Sequence, residues 1–127
     1  TNTEDTNGTI VVVGKDLAGN TITETLTPKA GETVAAKAFA EITSITGAGW
    51  AVDAVEGKAD KITVGFGALI GLPDKLTDTA QVLAASLNNV KEANAPTVTV
   101  SASALELNTV DLSSALNGSP VKIYYWV

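Results

Sequence analysis

The chain contains no cysteine, histidine or methionine, and its eight basic residues are all lysine, so arginine is missing too. Each absence removes a kind of chemistry. Without His or Cys there is no Ser-His-Asp or Cys-His nucleophile system. The usual ligands of zinc, haem and iron–sulfur centres go with them. No disulfide can staple the fold. Without Arg, the bidentate reading of guanine and the forked grip on phosphate are lost. A net charge of −6 and a pI near 4.4 set the chain against nucleic acid and anionic membrane as partners. No run of about 18 apolar residues is present to cross a bilayer as a helix.

What remains is β-prone. The 127 residues are 45% hydrophobic and only 17% charged, enough for one domain with a real core. The chain holds 17 Thr, 7 Ser and 11 Gly. Thr, Val and Ile suit a pleated, half-buried surface, and Gly punctuates short strands. Residues 1–8 are polar and aperiodic and read as an N-terminal arm; residues 9–127 read as a single domain.

Along that domain, TIVVVG (9–14) and the alternating NTITETLT (20–27) flank a turn containing Asp16 and Gly19, which predicts a β-hairpin. Residues 32–46 read as an irregular or briefly helical lead into a strand, and KITVGF (61–66) reads as a further strand. Over 74–93 two patterns compete. Leu76, Ala80, Leu83, Leu87 and Val90 recur at helical spacing, with Asp74 placed to cap, whereas residues 79–87 also read as a strand. Local spacing favours the helix. PTVTVSASALEL (96–107) alternates, 111–118 reads as a helical turn capped by Asp111 and stopped by Gly118, and 121–127 is a final strand. About seven short strands with frequent turns predict an all-β fold, an antiparallel β-sandwich with little helix.

Carboxylates are the only catalytic machinery left. Asp53, Glu56 and Asp60 lie within eight residues, and Asp74 and Asp78 are four apart. A glycosidase would need such a pair flanking an aromatic-lined subsite, and only Trp50 stands nearby. Asp16, Asn20 and Glu24 lack dense calcium-loop spacing, and Gly65-Phe66-Gly67 lacks the third glycine of a nucleotide loop. Lys and Asn or Asp, with a Glu nearby, could build an internal isopeptide bond, but no triad is marked. The chain therefore reads as no enzyme, with no cofactor, metal or small-molecule substrate.

The aromatics carry more. In a strand, Tyr124 and Trp126 share one face and Tyr125 takes the other, so one face is core and one meets solvent or a partner. Tyr and Trp are enriched at interface hot spots. Candidate partner contacts are thus Tyr124, Tyr125 and Trp126, with Trp50 and the arm residues Thr1, Asn2, Thr3, Glu4 and Asp5. A terminal edge strand with three aromatics needs cover, from a loop of the same chain or from a second subunit, and the second is the expectation: a homo-oligomer.

GKDLAGNTITETLT (14–27), AFAEITSIT (38–46), ITVGFGALIGLP (62–73) and LNTVDLSSALNGSPVKIYY (107–125), taken in that order, resemble a family of small tailed-bacteriophage virion proteins. The resemblance implies a capsid decoration or cement protein with a jelly-roll-like sandwich, located on the virion capsid surface. Its implied partner is the major capsid protein, and its implied assembly a trimer before a dimer. It also implies a strand, not a helix, over 79–87. Alternative readings are a head-fibre or tail component, or an immunoglobulin-like module of a bacterial surface adhesin, because DxAGNT also occurs in such repeats.

Overall fold

Three consecutive valines in TIVVVGK build β1 (Thr9–Lys15), whose Ile10 and Val12 are buried on one face. The computed structural model describes residues 8–28, 31–49 and 63–127. Within them the protein is all-β: nine strands, two 3-10 turns and no α-helix. β1 is the centre of its sheet, flanked antiparallel by β2 (Thr21–Leu26) and β3 (Glu41–Ala48). A central strand loses solvent on both edges, which suits its β-branched composition.

The predicted hairpin is the β1–β2 unit. Asp16 shapes its turn: its Oδ1 accepts from the Ala18 and Asn20 N–H at 2.9 and 2.8 Å, and its Oδ2 from Asn20 Nδ2 at 2.9 Å. These bonds, led by the Asn20 side chain, hold the Asp16 carboxyl below its ordinary value. At Gly14 the sheet leaves no room for a side chain. A Cβ there would lie 2.0 Å from the Glu41 carbonyl oxygen and 2.7 Å from the Phe39 ring, where β3 shifts register.

The other two sheets share one core. β4 (Leu69–Gly71), β8 (Thr109–Asp111) and β7 (Thr97–Thr99) form one, in the order β4-β8-β7. β6 (Val90–Lys91), β5 (Val82–Leu87) and β9 (Val121–Tyr125) form the other, in the order β6-β5-β9. Leu72, Leu76, Ala85, Val110 and Leu112 are buried at the centre, with Ile70 and Val98 packing from one sheet and Val121, Ile123 and Tyr125 from the other. Burying a Leu or Val side chain contributes about 1.5–3 kcal/mol. The β1–β3 sheet joins this body through residues 37–38: Ala38 N–H donates to the Glu106 carbonyl at 2.9 Å, and Lys37 pairs with Glu106 at 3.4 Å.

Asn108, fully buried, holds three chain segments together. Its Oδ1 accepts from the Leu76 and Ser101 N–H at 2.9 and 3.0 Å. Its Nδ2 donates to the carbonyls of Ser101, Ala104 and Leu105 at 2.9, 2.8 and 3.3 Å. Its backbone carbonyl accepts from Leu72 N–H at 2.8 Å. One side chain thereby stands in for the secondary structure that segments 72–76 and 101–105 lack.

Over 74–93 the strand prevails over the helical stripe. Asp78 caps a 3-10 turn (Thr79–Gln81) with a full capping box, and the chain then extends into β5. The stripe is not one buried face: Leu76 is fully buried, yet Leu83 and Val90 are 67% and 69% exposed. Asn88 and Asn89 both take positive φ, 52° and 63°, and so make the two-residue turn that pairs Leu87 with Val90.

Three other expectations need correction. The alternating stretch 96–107 is a strand only over Thr97–Thr99; Asn108 draws the following carbonyls into a 3-10 turn (Leu105–Leu107). No helical turn spans 111–118. Asp111 ends β8, and Ser114 N–H, which an Asp111 cap would bind, donates instead to Glu92 Oε2 at 3.0 Å. The strand expected over 61–66 is absent from its described part, residues 63–66. There Phe66 is fully exposed, and a Cβ at Gly65 or Gly67 would meet nothing.

Candidate interaction surface

β9 alternates as its sequence predicts. Val121, Ile123 and Tyr125 face the core, while Lys122 and Tyr124 face outward with Trp126 just beyond. Tyr124 and Trp126 are 54% and 56% exposed. Among the described residues the strand lies at the edge of its sheet, bonded to β5 alone.

Several bonds fix the backbone of this strand end and its inward ring. Trp126 N–H donates to the Gln81 carbonyl at 3.1 Å, and Gln81 Nε2 donates to the Trp126 carbonyl at 3.2 Å. The same Gln81 accepts at Oε1 from Thr77 and Asp78 N–H, both at 2.8 Å. Tyr125 Oη donates to Asp74 Oδ2 at 2.7 Å, which raises the phenol to about 12, with burial adding to the effect. Asp74 sits on the 72–76 segment that Asn108 holds, so the buried amide supports the end of β9 through Asp74 and Tyr125.

A groove of about 530 Å³ opens beside β5, walled by Val82, Leu83, Ala84, Lys91, Ala93 and Pro96. Among the described residues its wall carries no free acid–base pair. Glu92 accepts from Ser113 Oγ at 2.6 Å and from Ser114 N–H at 3.0 Å, and these bonds, the Ser113 hydroxyl first, lower its carboxyl.

The other candidates disperse. Asp74 is committed to Tyr125, and Asp78 to the Ala80 N–H at 2.9 Å, so they form no facing pair. Asp16 is consumed by its own turn, and Glu24 accepts from Ala36 and Lys37 N–H at 2.7 and 3.0 Å. Among the described residues no three acidic side chains converge on a metal position. Lys122 Nζ donates to Asn89 Oδ1 at 2.6 Å, a Lys–Asn contact of the isopeptide type. Both residues are exposed, and among the described residues no carboxylate bonds to either. Thr1, Asn2, Thr3, Glu4, Asp5, Trp50, Asp53, Glu56 and Asp60 lie outside the described residues.

Sequence reasoning missed Gln81 and Asn108. A lone amide in a polar stretch gives no signal of the backbone groups that fold against it. The Asn88-Asn89 pair did carry a signal, being a dipeptide that tolerates positive φ. No protein-family model, curated protein or solved structure matches the chain.

Proposed function

We propose that this protein is a non-enzymatic virion structural protein that binds the outer surface of a phage capsid and stabilises it. The observation that carries this reading is the exposed Tyr124–Trp126 face on an edge strand of an all-β chain. The ordered resemblance to tailed-phage virion proteins supports it, and so does the commitment of Asp16, Asp74 and Glu92 to structural hydrogen bonds. The partner is the major capsid protein, and the place of action is the capsid surface. Shell binding by many copies draws on area and multivalency rather than on a pocket. The reading carries with it a jelly-roll-like arrangement of the sheets and a homo-oligomer, three copies by resemblance.

Cosedimentation with emptied heads of the encoding phage tests it. The wild type pellets with heads and raises their disruption temperature, whereas a Tyr124→Ala/Trp126→Ala variant binds at least about tenfold more weakly. Wild-type protein that stays in the supernatant at saturating concentration overturns the reading.

A further inference from the structure

An asparagine can close on its own backbone when the nitrogen of the next residue reaches its side-chain carbon Cγ. The step is favoured where that next residue has no Cβ, where its N–H is not held by another group, and where the side-chain amide is not bonded elsewhere. Asn117-Gly118 combines these conditions. Both residues are exposed on the bend that precedes β9. Gly118 takes φ 82°, and the space beside it is empty to 4 Å. Among the described residues its N–H donates to no backbone carbonyl. Asn117 Oδ1 accepts from Ser119 N–H at 3.0 Å, which curls the side chain back over Gly118. That donor stands where negative charge grows on Oδ1 as the nitrogen adds, so it stabilises the addition as an oxyanion-hole N–H does.

The other described asparagines lack this combination. Asn108 is buried, its amide is tied by five hydrogen bonds, and β-branched Thr109 follows it. Asn20 gives its Nδ2 to Asp16 at 2.9 Å and is followed by Thr21. Asn89 accepts from Lys122 and is followed by Val90, and Asn88 and Asn94 precede Asn89 and Ala95, which each carry a Cβ. The second Asn-Gly pair of the chain, Asn7-Gly8, begins outside the described residues.

We infer that Asn117-Gly118 is a site of self-modification, where the folded chain deamidates through a cyclic imide without an enzyme. The Gly118 nitrogen gives its proton to hydroxide and bonds to Asn117 Cγ. The Cγ–Nδ2 bond then breaks, and Nδ2 leaves with a proton as ammonia. Water opens the ring at either carbonyl. Cleavage of the new Cγ–N bond gives aspartate, and cleavage of the original peptide bond gives isoaspartate, with the chain running through Cγ. Either product carries a carboxylate that is ionised at neutral pH, one more negative charge on a chain already at −6. Aspartate keeps the chain length. Isoaspartate lengthens the turn by one methylene just before the Pro120 carbonyl, which accepts from Asn88 N–H at 2.9 Å where the β5–β9 ladder begins.

The test ages the full folded chain in warm, mildly alkaline buffer and follows it by isoelectric focusing and mass spectrometry. Cleavage after lysine places Asn94, Asn108 and Asn117 in the peptide 92–122 and leaves Asn7 in a separate one ending at Lys15. Within 92–122, Asn117 should gain the mass difference between an amide NH2 and a hydroxyl, while Asn94 and Asn108 stay unchanged. The product should be a mixture of aspartate and isoaspartate, the latter read by an isoaspartyl carboxyl methyltransferase. Conversion in the fold should keep pace with that of a free peptide spanning 111–122. Gly118→Ala should slow it at least about tenfold, because a Cβ then shields the nitrogen. Asn117→Gln, whose longer side chain would have to close a larger ring, should leave position 117 unchanged. Melting curves show that each variant folds, and Asn117→Gln decides the matter if Gly118→Ala does not. Conversion about tenfold or more slower in the fold than in the peptide overturns the inference. So does aspartate without isoaspartate, equal conversion in Gly118→Ala, or conversion at Asn108 that matches Asn117.

Discussion

Replacing Asn108 by Ala removes five hydrogen bonds to backbone groups on residues 76, 101, 104 and 105. The carbonyls of Ala104 and Leu105 retain partners, because they also accept from the N–H groups of Leu107 and Asn108 at 3.3 and 3.0 Å. The Leu76 and Ser101 N–H groups have no second acceptor among the described residues, and Leu76 is fully buried. An orphaned buried donor costs about 1–3 kcal/mol, so the buried Leu76 N–H, the half-buried Ser101 N–H and the lost packing together total about 3–5 kcal/mol. Against a total stability of about 5–15 kcal/mol that is a large share. Urea titration should show the loss as a lower midpoint at constant slope, with the exposed Asn117→Ala as control. Asn108→Asp separates hydrogen bonding from volume. Its carboxylate keeps the two N–H bonds but turns an oxygen toward three carbonyls, which raises its folded pKa. The deficit relative to wild type should therefore be smallest below about pH 4, where the acid is protonated, and grow as pH rises. A loss under about 1 kcal/mol for Asn108→Ala would refute the reasoning, because it would mean that water already serves these groups.

Three further outcomes follow from other sites. Tyr125 keeps its proton to about 12 in the fold against an ordinary value of 10.0, so the stability it contributes is full below pH 10 and is lost as pH rises toward 12. Tyr125→Phe should abolish that alkaline step and cost about 1–2 kcal/mol at neutral pH, read by denaturation at both pH values. Asp16 and Glu92 are shifted the other way. Their contribution is present above the ordinary values of 3.8 and 4.5 and disappears as pH falls through their lower folded values, so acid melting should be shallower in Asp16→Asn and Glu92→Gln. Gly14→Ala should cost about 2–3 kcal/mol by forcing β3 off β1, whereas Gly67→Ala, where a Cβ meets nothing within 4 Å, should be neutral in the same melt.

The residue types alone determined the all-β class, the first hairpin and the alternation of β9. In each case side chains of one character recur at period two beside a turn residue, and that information is local. The Tyr124–Trp126 face was legible for the same reason. The exclusion of histidine, cysteine and arginine chemistry was plain from composition. Tertiary structure decided the rest. Leu76, Ala80, Leu83, Leu87 and Val90 carry a helical stripe, but two asparagines at positive φ turn the chain back after Leu87. β9, far along the chain, then gives β5 a ladder that no isolated helix could match. Asp111 looked like a helix cap until Glu92, 22 residues before Ser114, took the N–H it would have bound. Asn108 and Gln81 gave no local sign at all. Their importance comes from backbone groups brought to them across 32 and 45 residues of chain, to Leu76 and Trp126. A buried amide becomes a keystone only once those groups have no water to turn to.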